Sequence, residues 1–127
     1  MSKKNNLKKL PEAELEIMLC LWDACESVPR NYFNKQLSQK NWSDSTILTL
    51  LSRLKDKGFI ALNKEGNKNM YSPIISKEEY TYFENSSFLN ILHRGSIKHF
   101  IASLADTNSL TKNDINELEN LLEELKK

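Results

Sequence analysis

Three glycines and three prolines in 127 residues leave the chain few places to turn sharply. Those few act as punctuation between helices. Cysteine is scarcer still, with Cys20 and Cys25 alone. Their spacing matches no metal-ligand pair and no second pair exists, which excludes a zinc ribbon and a disulfide scaffold. Cys20 falls inside an apolar run and reads as a small packed hydrophobe. No stretch approaches the roughly 18 uninterrupted apolar residues of a membrane span. The N-terminus, Met1 to Lys9, is basic but lacks a following apolar core, so it reads as an arm that touches phosphate and not as a signal peptide. A reduced, cytoplasmic protein without membrane insertion is expected.

Catalytic motifs are missing as well. No phosphate loop, nucleophile elbow or G-x-G-x-x-G is present. His93 and His99 are the two histidines, and at six residues apart they do not stack on one helical face. No metal site, no cofactor and no enzyme are therefore expected. The carboxylates over residues 114–124 fall on a solvated helix face.

Charge is nearly balanced at +1, yet it is unevenly placed. Residues 1–76 hold 12 Lys+Arg against 8 Asp+Glu, and residues 77–127 hold 6 against 9. A basic front and an acidic back suit a nucleic-acid-binding half joined to a protein-binding half.

Periodicity supplies the elements. Leu15, Met18, Leu19 and Trp22 form a helical stripe over 11–24, opened by Pro11. Ser27-Val28-Pro29 starts a second helix over 29–40, carrying Phe33 and Leu37. Ser43 caps a third helix, and Gly58 ends it. In that helix Ile47, Leu50, Leu51 and Leu54 share one side. Ser45, Thr46, Thr49, Ser52 and Arg53 share the other, without a carboxylate among them. Two readings stand for this face: an ordinary solvated surface, or a surface that enters a DNA major groove. Residues 59–63 and 70–74 read as a hairpin around the turn Glu65-Gly66-Asn67, with Lys64 and Lys68 flanking it as phosphate contacts or solvated lysines. Such a hairpin must pack on the helices.

Ser76 and Glu79 make a capping box that opens a helix over 77–92. Ile97, Phe100, Ile101 and Leu104 line a short helix over 96–105. Thr111 with Asp114 opens a last helix over 112–126, whose Ile115, Leu118, Leu122 and Leu125 form a coiled-coil-like seam. The fold class is therefore mainly α. A winged helix, three helices plus a β-hairpin wing, occupies residues 1–75, and a helical dimerisation region occupies 76–127. The apolar seam must be covered, by a second copy in a homodimer or by the chain's own winged domain.

Separated motifs resemble a known group in the right order. Leu10-Pro11-Glu12-Ala13-Glu14-Leu15-Glu16-Ile17-Met18 followed by Leu21-Trp22 is similar to the opening of the penicillinase and methicillin-resistance repressors, the BlaI/MecI family. Trp42-Ser43, Thr46-Ile47, Thr49-Leu50, Arg53-Leu54 and Lys57-Gly58-Phe59-Ile60 resemble its recognition helix and exit. Tyr71-Ser72-Pro73, Lys77-Glu78-Glu79-Tyr80, Ser87-Phe88-Leu89 and the stretch from Gly95 to Leu110 extend the resemblance over about residues 8–125. It implies a homodimeric winged-helix repressor that binds an inverted-repeat operator ahead of β-lactamase or resistance genes. It places Ser45, Thr46, Thr49 and Arg53 in the groove. It puts Leu48 where a relative carries a basic residue, a departure that trades a polar contact for thymine methyls or marks a different operator. It also implies a membrane sensor protease as partner, cutting between Ser103 and Leu104 where relatives show Asn-Phe. A second class stays open beside this one: a winged-helix protein-interaction module without specific DNA binding.

Overall fold

The computed structural model describes residues 7–127, so the part of the expected basic arm over residues 1–6 lies outside the described residues. The chain divides into two compact units, the first ending at Glu84 and the second starting at Asn85. The first runs past the expected boundary at residue 75, because Tyr80 is buried with the winged domain.

In the first unit the order is α1 (Glu12–Ala24), β1 (Val28–Pro29), α2 (Arg30–Gln36), α3 (Asp44–Asp56), β2 (Ile60–Glu65) and β3 (Lys68–Pro73), followed by the start of α4 (Lys77–His93). Ile17, Met18 and Leu21 of α1 meet Phe33 of α2, Ile47, Leu51 and Leu54 of α3, and Ile60 of β2 in one core. Full burial of each such side chain contributes about 1.5–3 kcal/mol. The winged-helix expectation therefore holds, with two local corrections.

The first is a third strand. Val28 and Pro29, expected to begin a helix, pair with Tyr71 and Met70, which gives a three-stranded sheet in the order β1-β3-β2. An edge position tolerates Pro29, which has no N–H to donate, and the same residue then stands at the N-cap of α2. The second is the length of α2. It stops at Gln36, and a 3-10 turn over Ser38–Lys40 carries the chain on to Asn41, whose φ of 58° is left-handed.

Two long-range hydrogen bonds close this unit. Trp22 Nε1 donates to the Ile75 carbonyl at 2.9 Å. The Leu10 N–H donates to the Tyr80 phenol oxygen at 2.8 Å. Burial, and then the neighbouring Glu84, push the Tyr80 phenol well above the ordinary tyrosine range, so it stays neutral. Glu14, only 2% exposed, is the one buried carboxylate among the described residues, and Lys57 at the end of α3 donates to its Oε1.

The second unit holds the rest of α4, then α5 (Ile97–Asp106) and α6 (Lys112–Leu125). The expected caps form. Ser76 and Glu79 bond reciprocally at 3.0 Å, and Thr111 with Asp114 makes a full capping box. Gly95, at φ +80°, ends the corner after α4. Nothing in α5 or α6 is fully buried. Phe100, Ile101, Leu104 and Leu118 are half-buried, while Ile97, Ile115, Leu122 and Leu125 are exposed.

Candidate nucleic-acid interface

The site is built on α3. Ser43 caps it, its Oγ accepting from the Thr46 N–H at 3.1 Å. At the far end Gly58, at φ +82°, lets the chain leave for β2. Ile47, Leu50, Leu51 and Leu54 are buried. The helix is thus held by one face while Ser45, Thr46, Leu48, Thr49, Ser52 and Arg53 are all exposed on the other.

The hydroxyls on that face are not equivalent. Thr49 Oγ1 donates to the Ser45 carbonyl at 2.9 Å, so its proton is spent within the helix. What Thr49 offers outward is a methyl group and an accepting lone pair. Thr46 Oγ1 accepts from Ser43 Oγ at 3.1 Å and keeps its own proton to donate. Leu48, 45% exposed, adds an apolar side chain beside Thr49, on the flank facing α2 and the wing. The middle of the face is therefore methyl-rich, and its start is hydrogen-bonding.

Leu48 also lies in an open groove with Arg30, Asn31, Lys68 and Asn69. This groove joins the start of α2, the middle of α3 and the wing, and periodicity gave no sign of it. Asp44, in the first turn of α3, would oppose an anion here. Arg30 holds its Oδ2 at 3.0 Å and Asn34 Nδ2 donates to its Oδ1 at 2.7 Å, so its charge is met within the protein.

The wing projects past the core. In β2 only Ile60 is fully buried, and in β3 only Tyr71. Lys64 lies opposite Asn69, and Lys68 opposite Glu65. Residues directly opposite share a face, and neighbours along a strand alternate. Lys64 and Lys68 consequently stand on opposite faces of the wing. Both are exposed, and among the described residues neither they nor Arg53 has a carboxylate within ion-pair distance.

The remaining expected residues lie elsewhere. Ser103 and Leu104 are half-buried inside α5, where Ser103 Oγ donates to the Phe100 carbonyl at 2.7 Å. Among the described residues no group of three or more His, Cys, Asp or Glu side chains is placed to hold a metal ion. His93 and His99, set apart by sequence spacing, nevertheless meet across the α4–α5 corner at 2.7 Å. No described helix is long and apolar enough to cross a membrane.

Known proteins share this arrangement. The pattern that defines the penicillinase repressor family matches residues 10–124. The penicillinase repressor of Bacillus licheniformis is 36% identical over 124 residues, covering 94% of this chain and 96% of its own. The methicillin resistance regulatory protein MecI of Staphylococcus aureus strain N315 is 28% identical over 118 residues, covering 93% and 96%. Among solved structures, the DNA-binding domain of the repressor BlaI is 38% identical with a TM-score of 0.50, covering 58% of this chain and 94% of that one. The monomeric form of Bacillus licheniformis BlaI in complex with the blaP half-operator is 36% identical, also at 0.50, covering 57% and 89%. Each covers a little over half of this chain. The chain belongs to the penicillinase repressor family.

Proposed function

We propose that this protein is a homodimeric transcriptional repressor of resistance-type genes, acting in the cytoplasm by occupying an inverted-repeat operator and not by catalysis. The observation that carries the reading is the division of α3 into a buried leucine face and an exposed face of hydroxyls, methyls and Arg53 beside a basic wing. A helix presented in this way fits the major groove. Relatives and solved structures of the same family, one bound to a half-operator, support it. Ser45, Thr46 and Arg53 take the polar base edges or phosphates, and Lys64 and Lys68 straddle the backbone at the wing. Asn31 at the start of α2 adds to that grip, while Arg30 stays paired with Asp44. The open seam of α5 and α6, from Ile97 to Leu125, is covered by the second copy, which fixes the half-site spacing at one or more helical turns.

Leu48 and the outward methyl of Thr49 call for thymine methyls. Replacing half-site thymines one at a time with deoxyuridine removes only those methyls. At positions facing Leu48 or Thr49 each replacement is expected to cost about 0.8 kcal/mol, close to fourfold in affinity. In the Leu48→Ala variant the penalty at the positions facing Leu48 disappears. A parent protein indifferent to every replacement would remove thymine readout from this face.

Release from the operator follows from cleavage by a membrane sensor protease at Ser103–Leu104. That bond lies within α5, so local unwinding must precede cutting, and the cut parts Leu104 and the whole α6 seam from Ile97, Phe100 and Ile101. Losing the dimer loses the avidity of paired half-sites. Mass spectrometry of the repressor from β-lactam-treated cells is expected to show two fragments meeting there. An intact chain alongside full derepression would refute cleavage.

A further inference from the structure

The corner between α4 and α5 brings the two histidines together. His93 is the last residue of α4, and His99 lies in the first turn of α5. Between them Arg94 and Gly95 both take positive φ, 53° and 80°, and reverse the chain. The corner is tied down on both sides. The Gly95 N–H donates to the Leu89 carbonyl at 2.8 Å, and the Ser96 N–H to the His93 carbonyl at 2.9 Å. Ser96 Oγ accepts from the His99 N–H at 2.9 Å, which sets where His99 begins.

The two Nδ1 atoms face each other at 2.7 Å, with ring centroids 5.0 Å apart. His93 is only 6% exposed. Phe88 and Phe100 each flank its ring at 5.1 Å and sit edge-to-face with one another at 5.3 Å. His99, by contrast, is exposed. One ring is thus held by packing while the other stands at the surface and can swing.

A neutral imidazole has one N–H and one accepting nitrogen. Of two Nδ1 atoms at this distance one carries the proton and the other accepts it; once that proton moves to Nε2, each Nδ1 presents one lone pair to the gap between the rings. We propose that the pair is a two-imidazole chelate for a divalent first-row cation of borderline softness, such as Zn²⁺ or Ni²⁺. Imidazole is a favoured ligand for such ions, whereas Mg²⁺ and Ca²⁺ want oxygen. With metal–nitrogen distances of about 2.0–2.1 Å, a tetrahedral ion needs its two nitrogens about 3.3 Å apart. The pair reaches that by opening roughly 0.6 Å from its 2.7 Å contact, a movement the exposed His99 ring supplies. Among the described residues no third histidine, cysteine or carboxylate joins them, so water completes the coordination.

Proton accounting is simple. Both rings bind as their Nε2–H tautomers. The ring that carried Nδ1–H moves that proton to Nε2, so none leaves when both rings are neutral. Each ring that enters protonated releases one proton, so acid weakens binding. The cation then ties the end of α4 to the first turn of α5, immediately ahead of Phe100, Ile101 and Leu104. It would stiffen the corner that aims these apolar residues.

The test uses the full chain without an affinity tag and does not involve DNA. Zn²⁺ is titrated by calorimetry, with Mg²⁺ as the control, while long-range proton–nitrogen NMR follows both imidazoles. One Zn²⁺ per chain is expected, with the Nδ1 resonances of His93 and His99 both shifting and Mg²⁺ moving neither. His99→Ala is expected to lower Zn²⁺ affinity by at least about tenfold, the loss that removing even an outer partner of a ligand brings. Its circular dichroism should match the parent, and the imidazole shifts of the parent protein decide the matter on their own if it does not. Absence of Zn²⁺ binding, binding that leaves either Nδ1 unshifted, or an affinity unchanged in a folded His99→Ala would overturn the proposal.

Discussion

Arg53→Ala is expected to weaken operator binding by about 1–3 kcal/mol at each half-site if the guanidinium reads a base. A dimer loses this twice, so the fall on a full operator is the square of the fall on one half-site. The residue stands at the exposed end of the recognition face, with no carboxylate within ion-pair distance among the described residues. Its charge is therefore available to a ligand. Two modes of action separate cleanly. A base contact is lost on the operator and leaves a scrambled duplex almost unaffected. A phosphate contact is lost on both, and the salt slope falls by about 1 for each contact removed. Competition anisotropy on the two duplexes distinguishes them. An Arg53→Ala protein that binds operator as tightly as the parent would take Arg53 out of the interface.

The second large effect is on stability. Lys57→Met should cost about 3 kcal/mol, the low end for breaking a buried ion pair, because water reaches the 40% exposed lysine side chain. The carboxylate of Glu14 is the reason. It is 2% exposed on α1 and is met by Lys57 at the exit of α3, so the variant leaves a buried charge alone. The pair also fixes α3 against α1, and α3 is the helix proposed to meet DNA. Against a total stability of about 5–15 kcal/mol, a loss of this size is visible in any urea titration. Replacing both residues, with Glu14→Leu and Lys57→Met together, should recover much of it. A single variant that loses less than about 1 kcal/mol would show that water satisfies Glu14 without the lysine.

What the sequence discloses here is what short-range chemistry controls. Ile47, Leu50, Leu51 and Leu54 recur at helical spacing, and all four are buried. Ser43, the Ser76–Glu79 pair and Thr111 with Asp114 are caps whose partners lie three residues away, and each forms. Long-range pairing is another matter. Val28 and Pro29 are too few to show a period, and their strand exists only because Tyr71 and Met70 arrive beside them. The burial of Glu14 depends on a lysine 43 residues away. The groove around Leu48 draws Arg30 and Asn31 from α2 and Lys68 and Asn69 from β3. The histidines show the same limit at short range. Spacing puts them on different helical faces, and two consecutive positive-φ residues then fold one face onto the other. Within the candidate site, the exposed residues of α3 are legible from the polar face, whereas the spending of the Thr49 proton inside the helix depends on how that side chain turns and leaves no mark in the spacing.

The measurement that bears most directly on the account is fluorescence anisotropy of the full chain on the DNA upstream of its own gene and its neighbours. A scrambled duplex is run beside it, and salt is titrated. Selective binding is expected, with two chains per site and an affinity that falls steeply with salt, as several phosphate contacts per dimer require. Equal weak binding to both duplexes, or none at low salt, would contradict it and leave the winged helix as a surface for a protein partner.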